Sequence, residues 1–135
     1  MATRNFREML EAKWTKGKFV CVGLDSEYQR IPETVRQKYL YSVRGGIFEF
    51  NAAIVDATKD IACAYKFNLA FYGGGARTVA LTETIVHIHT GAPGVPVIFD
   101  WKGGDPLHDI NRAYADYFFE ELGTDAITIN PYPGG

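Results

Sequence analysis

Four short apolar runs punctuate the chain, at Phe19–Leu24, Ala62–Phe67, Val95–Phe99 and Ala126–Ile129. Each is too short for a core helix, and all but the second are rich in β-branched residues, so the pattern predicts four buried strands. Between them the spacing changes. Ile47–Asp60 sets Ile47, Phe48, Phe50, Ile54, Val55 and Ala57 near helical periodicity, and Val79–His89 and Ile110–Leu122 repeat the pattern. A further helix, Phe6–Trp14, precedes the first strand. Gly91-Ala-Pro93 closes one helix and Gly123 another. Strands that alternate with helices and read as continuous apolar runs predict a parallel α/β sheet covered by helices.

The polar residues carry their information at the strand ends. The first strand ends at Asp25, the second reaches Lys66 and Asn68, the third Asp100 and Lys102, and the fourth Asn130. In parallel α/β folds the C-terminal edge of the sheet is where ligands bind. The third strand is the most telling, because an apolar run breaks into Asp100-Trp-Lys102-Gly-Gly-Asp105. Charges at the end of a core strand are costly unless paired or functional. Asp100 and Lys102 alternate along the strand direction and so face one side.

Composition narrows the classes. The chain has 135 residues, enough for one domain spanning 1–135, and a formal net charge of −2. Its charges are mixed, with no basic stripe, which argues against a nucleic-acid partner. The start, Met-Ala-Thr-Arg-Asn-Phe-Arg-Glu, is polar, and no apolar run is long enough to span a bilayer, so neither a signal peptide nor a membrane span is expected. Cys21 and Cys63 lie in apolar stretches and read as buried, reduced thiols of a cytoplasmic protein. His87 and His89 read as a solvated helix end, and His108 with Asp105 and Asp109 does not complete a metal set. Gly73-Gly-Gly-Ala lacks the Lys-Ser/Thr of a phosphate loop and reads as a flexible loop. Tyr114, Tyr117, Phe118 and Phe119 read as helix core or subunit contact.

Together, Cys21-Val-Gly-Leu-Asp25, Tyr65-Lys66-Phe-Asn68-Leu-Ala-Phe-Tyr72, the Asp100-x-Lys102-x-x-Asp105 signature and Ile127-Thr-Ile-Asn130-Pro-Tyr132 resemble orotidine 5′-phosphate decarboxylase, with closer likeness to its longer bacterial branch. The resemblance implies a (β/α)8 TIM barrel, here its first four βα units as a half-barrel with an extra N-terminal helix. It implies a carboxy-lyase of pyrimidine synthesis that converts orotidine 5′-phosphate to UMP and CO2, works as a cytoplasmic homodimer, and uses no metal and no organic cofactor. Carried onto this sequence, Asp25 would bind a ribose hydroxyl, and Lys66 would hold the ribose and pair with Asp100. Asp100 would face the departing carboxylate, Lys102 would stabilise the carbanion and supply its proton, and Asp105 would enter from the partner subunit. Independently of the family, a carbanion calls for a fixed cation in a water-excluded site, and a lysine flanked by carboxylates stays protonated.

Several features depart from the family pattern. The segment after Asp105 runs Pro-Leu-His-Asp109-Ile and lacks the usual Thr, and Gly103 stands where an Arg is common. The chain stops at Pro133-Gly-Gly, whereas a full barrel has eight strands and its last loops grip phosphate. The expectation is therefore a truncated chain with feeble or no activity, which associates through its sheet edges and through helix faces bearing Ile47, Phe50 and Ile54, or Tyr114 and Phe118. Two other readings remain open: a phosphosugar decarboxylase or synthase of the same superfamily, often magnesium-dependent, and a non-catalytic half-barrel that serves association alone.

Overall fold

A computed structural model describes residues 4–132; the first three residues of the polar start and Pro133–Gly135 lie outside the described residues. In chain order the elements are α1 (Phe6–Trp14), β1 (Val20–Gly23), a 3-10 turn (Tyr28–Arg30), α2 (Glu33–Lys38), α3 (Val43–Thr58) and β2 (Ala62–Asn68). There follow α4 (Leu69–Tyr72), α5 (Gly75–Gly91), β3 (Val97–Gly103), α6 (His108–Ala115), a π-helical continuation (Asp116–Glu121) and β4 (Ala126–Ile129). The strands are all parallel, in the order β1-β2-β3-β4. The result is four βα units, half of a (β/α)8 barrel, with an additional N-terminal helix.

Local chemistry sets the element ends. Asn5 caps α1 by accepting the Glu8 amide at 3.2 Å, and Ser42 caps α3 through the Gly45 amide at 3.2 Å. The Ser42 cap starts α3 four residues earlier than the apolar spacing indicates, because Gly45 and Gly46 carry no side chain to show the period. Gly123, at φ 72°, ends the last helix in a left-handed turn. The Arg4 guanidinium ties the N-terminal segment to the bottom of the sheet. It grips both oxygens of Asp125 at 2.7 and 2.8 Å and the Pro93 carbonyl at 2.9 Å, while Asp125 also accepts the Val97 amide.

The core lies between the sheet and α3, α5 and the π-helical turn. Tyr65, Phe67, Val97 and Phe99 project from β2 and β3 onto Ile47 and Val55 of α3, Leu81, Ile85 and Ile88 of α5, and Phe118. Several sequence-based expectations change here. Ile47 and Phe118 are fully buried, so they are not part of an uncovered helix face. His87 and His89 are half-buried: His87 meets Asp56 at 3.0 Å, and burial pushes the His89 imidazole below its ordinary pKa. The first strand was expected to be buried, yet Val20 is 53% exposed and Cys21 is exposed; only Cys63 is a buried thiol. The reason is topological: β1 has a neighbour on one side only, as has β4. The second strand, the one not rich in β-branched residues, is the best buried, and both its edges are paired.

Candidate active site

Strand register brings the polar strand ends to one rim. Gly23 stands beside Lys66, and Asn68 beside Asp100. Along β2 the residues Tyr65 and Phe67 turn to the helices, which sends Lys66 and Asn68 to the opposite face, half-buried at its C-terminal end.

On the β1–β2 side, Lys66 Nζ donates to Asp25 Oδ2 at 2.7 Å. The loop that carries Asp25 is anchored from beneath. Leu24 and Ser26 on either side of it are buried. The Tyr72 hydroxyl donates to the Leu24 carbonyl, and the Ser26 hydroxyl donates to Asn51 Oδ1. Asn51, fully buried in α3, donates in turn to Tyr72 Oη at 3.0 Å and Thr84 Oγ1 at 3.3 Å. Thr84 donates to the Ala80 carbonyl, and every polar group of this cluster has a partner. Burial holds the Tyr72 phenol above its usual pKa, so it stays a neutral donor.

On the β3–β4 side the ladder is irregular. Phe99 pairs with Ile127 and Gly103 with Ile129, so three residues of β3 stand opposite Thr128 alone. Lys102 adopts φ 55°, left-handed for a residue with a side chain. This bend turns the Lys102 ammonium back onto Asp100 Oδ2, with which it forms a short ion pair. Thr128 Oγ1 donates to Asp100 Oδ1 at 2.6 Å and accepts the Lys102 amide at 3.0 Å. Asn68 Nδ2 reaches Asp100 Oδ2 at 3.5 Å, a weak contact. The hydrogen bond from Lys102, then that from Thr128, hold the Asp100 carboxyl below the usual carboxylate range; the charges of Lys102 and Lys66 add to them.

The predicted residues are thus divided. Asp25, Lys66, Asp100 and Lys102 all stand at the C-terminal ends of neighbouring strands. Lys66, expected to pair with Asp100, pairs with Asp25 instead, although its register neighbours are Gly23 on β1 and Ile98 on β3 alike. Asp105 makes no hydrogen bond or ion pair with the other four among the described residues. Its carboxylate accepts the Leu107 amide at 2.8 Å, and Asn111 grips its amide and carbonyl at 3.0 and 2.6 Å. That arrangement organises the approach to α6. Gly103, where an Arg was the family's common residue, has a steric reason. A Cβ there would stand 2.1 Å from the Trp101 indole, which packs on Tyr114 and Phe118. Sequence reasoning missed the roles of Thr128, Asn51 and Ser26. Thr128 reads as an ordinary β-branched strand residue, although its two-residue offset from Asn130 puts it on the face of the polar strand ends.

Comparison with known proteins agrees with this architecture. No protein-family model matches the chain. The orotidine 5′-phosphate decarboxylase of Christiangramia forsetii is 42% identical over 130 residues, which is 95% of this chain and 46% of that protein. The enzyme of the same name from Herpetosiphon aurantiacus is 44% identical over 117 residues, 85% of this chain and 40% of that protein. The chain spans about half the length of the curated relatives it matches. Among solved structures, Leishmania donovani OMP decarboxylase superposes with a TM-score of 0.78 at 30% identity, over 97% of this chain and 46% of that one. The Plasmodium berghei orotidine 5′-monophosphate decarboxylase gives the same TM-score at 22% identity, over 96% and 54%, which speaks for the fold alone.

Proposed function

We propose that this chain, which belongs to the orotidine 5′-phosphate decarboxylase family over nearly its whole length, carries the reacting-centre half of a carboxy-lyase site that converts orotidine 5′-phosphate to UMP and CO2. The observation that supports it most is the Asp100–Lys102 pair held by Thr128 at the end of β3. In this proposal the substrate carboxylate lies against Asp100, and like-charge repulsion raises the ground state. As the bond from the ring carbon to CO2 breaks, the electron pair stays on that carbon and Lys102 stabilises it electrostatically. The Lys102 ammonium then transfers its proton to the carbon, and the neutral amine recovers a proton from water. Asp25 and Lys66, one strand away, receive the ribose hydroxyls. Asp105 belongs to this set only as a contribution to a neighbouring copy.

The proposal extends to association. β1 and β4 each leave a free edge, flanked by exposed Phe19, Val20 and Ile129. Unpaired parallel edges seek partners. We propose a homodimer in the cytoplasm; no helix among the described residues is long and apolar enough to cross a membrane.

The test is decarboxylation of orotidine 5′-phosphate, followed by absorbance, with this chain alone and with four further βα units supplied in trans. The chain alone is expected to turn over feebly, since phosphate binding energy is used at the reacting centre. Addition of the complementary units is expected to raise the rate, and Lys102→Ala to abolish it. A Lys102→Ala protein as active as the parent would overturn the proposal.

A further inference from the structure

We propose that Thr128 is the positioning residue of the reacting pair, its hydroxyl fixing the Asp100 carboxylate against the Lys102 ammonium across the break in the β3–β4 ladder. The inference rests on the decarboxylase reading of the site and adds a part to it.

It follows from the count of residues across the bulge. Asp100, Trp101 and Lys102 face Thr128 alone, so the Lys102 amide has no backbone partner on β4. The Thr128 hydroxyl takes that place, accepting the Lys102 N–H at 3.0 Å. A hydroxyl has a single proton to give. With the amide hydrogen aimed at its oxygen, that proton turns away toward Asp100 Oδ1, 2.6 Å distant, in the range of a charge-assisted bond. One side chain therefore reads the backbone of one reacting residue and the carboxylate of the other.

The consequence is orientation. The terminal torsion of an aspartate is soft, so a carboxylate bound on one oxygen can still swivel. Here Oδ1 is held by Thr128 and Oδ2 by Lys102, with Asn68 at the margin. Both oxygens are fixed, and the plane of the group with them. The left-handed backbone of Lys102 is unfavourable for a residue with a Cβ, and its amide bond to Thr128 offsets part of that cost. The charged groups that face Asp100 are Lys102 and Lys66, so any change on loss of the hydroxyl is read against a constant cationic background. On the other side of the rim, Lys66 meets Asp25 of the loop after β1 directly, with no bridging hydroxyl between them among the described residues.

The experiment replaces Thr128 by Val, which keeps the shape and β-branching, and by Ser, which keeps the hydroxyl. The carboxyl of Asp100 is titrated by carbon-13 NMR in the full chain, with circular dichroism to confirm folding. The Val variant is expected to titrate at higher pH than the parent, and the Ser variant like the parent. In the complemented enzyme, Thr128→Val should lower kcat on the order of tenfold with KM little changed, and Thr128→Ser should restore it. A Val variant whose titration and kcat match the parent would overturn the inference, as would a Ser variant that behaves like the Val one. If no form turns over orotidine 5′-phosphate, the decarboxylase reading falls, and the Asp100 titration alone decides the role of Thr128.

Discussion

Lys66 sits where β1 and β2 keep regular register from Cys21 to Gly23, with Asp25 on the loop just beyond, whereas Asp100 and Lys102 lie where the β3–β4 ladder breaks. The two halves of the rim are held in different ways. Asp25 is held from below, by a buried cluster that links the ends of β1 and β2 to α3 and α5. Asp100 is held from the side, by a half-exposed hydroxyl and a bent backbone. The first half is therefore coupled to the stability of the whole core, and the second is local. Damage to each half should report differently, in stability on one side and in chemistry on the other.

The sharpest separation comes from Asn51→Leu. It leaves the Ser26, Tyr72 and Thr84 hydroxyls short of partners inside the core, at a cost of about 3 kcal/mol. Urea unfolding of the full chain should show a lowered midpoint with an unchanged slope. Stability equal to the parent would mean that the cluster does not anchor the β1–β2 half.

Gly103→Ala acts on the other half and should cost less, about 1–3 kcal/mol, as the Trp101 ring is displaced from Tyr114 and Phe118. Tryptophan fluorescence should report the altered packing at Trp101, while the Asp25–Lys66 side keeps its geometry. Unchanged emission would break the comparison, because it would show that the bulge tolerates a side chain.

The smallest effect is pH dependence. The Asp100 carboxyl is depressed in the folded chain, so its contribution to stability is present above the ordinary aspartate value of about 3.9 and is lost as pH falls through the folded value. The stability gap between the parent and Asp100→Asn should therefore be constant near neutrality and close below about pH 4. A gap that widens on acidification would contradict the Lys102 and Thr128 contacts as the cause.

Legibility in the sequence followed the range of the forces involved. Phe6–Trp14 and Ala126–Ile129 match their expected limits, because polar or glycine flanks mark both. β3 runs on to Gly103, four residues past its apolar run, since Asp100 and Lys102 turn to the polar rim while Trp101 packs on Tyr114 and Phe118. The turn and α2 between residues 28 and 38 went unread: Tyr28 and Ile31 are buried, but two apolar residues so close set no period. The exposure of β1 depends on which strands flank it, and no residue in Phe19–Leu24 encodes that. The partner of Lys66 likewise depends on how the Asp25 loop is anchored in three dimensions, and not on the spacing of charges along the chain.

Lys102 illustrates a conflict between endurance and use. Its backbone occupies a region where glycine is at ease and lysine is not. The replacement that most relaxes this corner of the sheet is therefore also the one that deletes the ammonium. A search for hardier variants judged by solubility or melting alone would drift toward a tidier and chemically mute strand. On the proposed chemistry, lysine at this position serves the site at a cost to the fold, because the backbone by itself favours another residue.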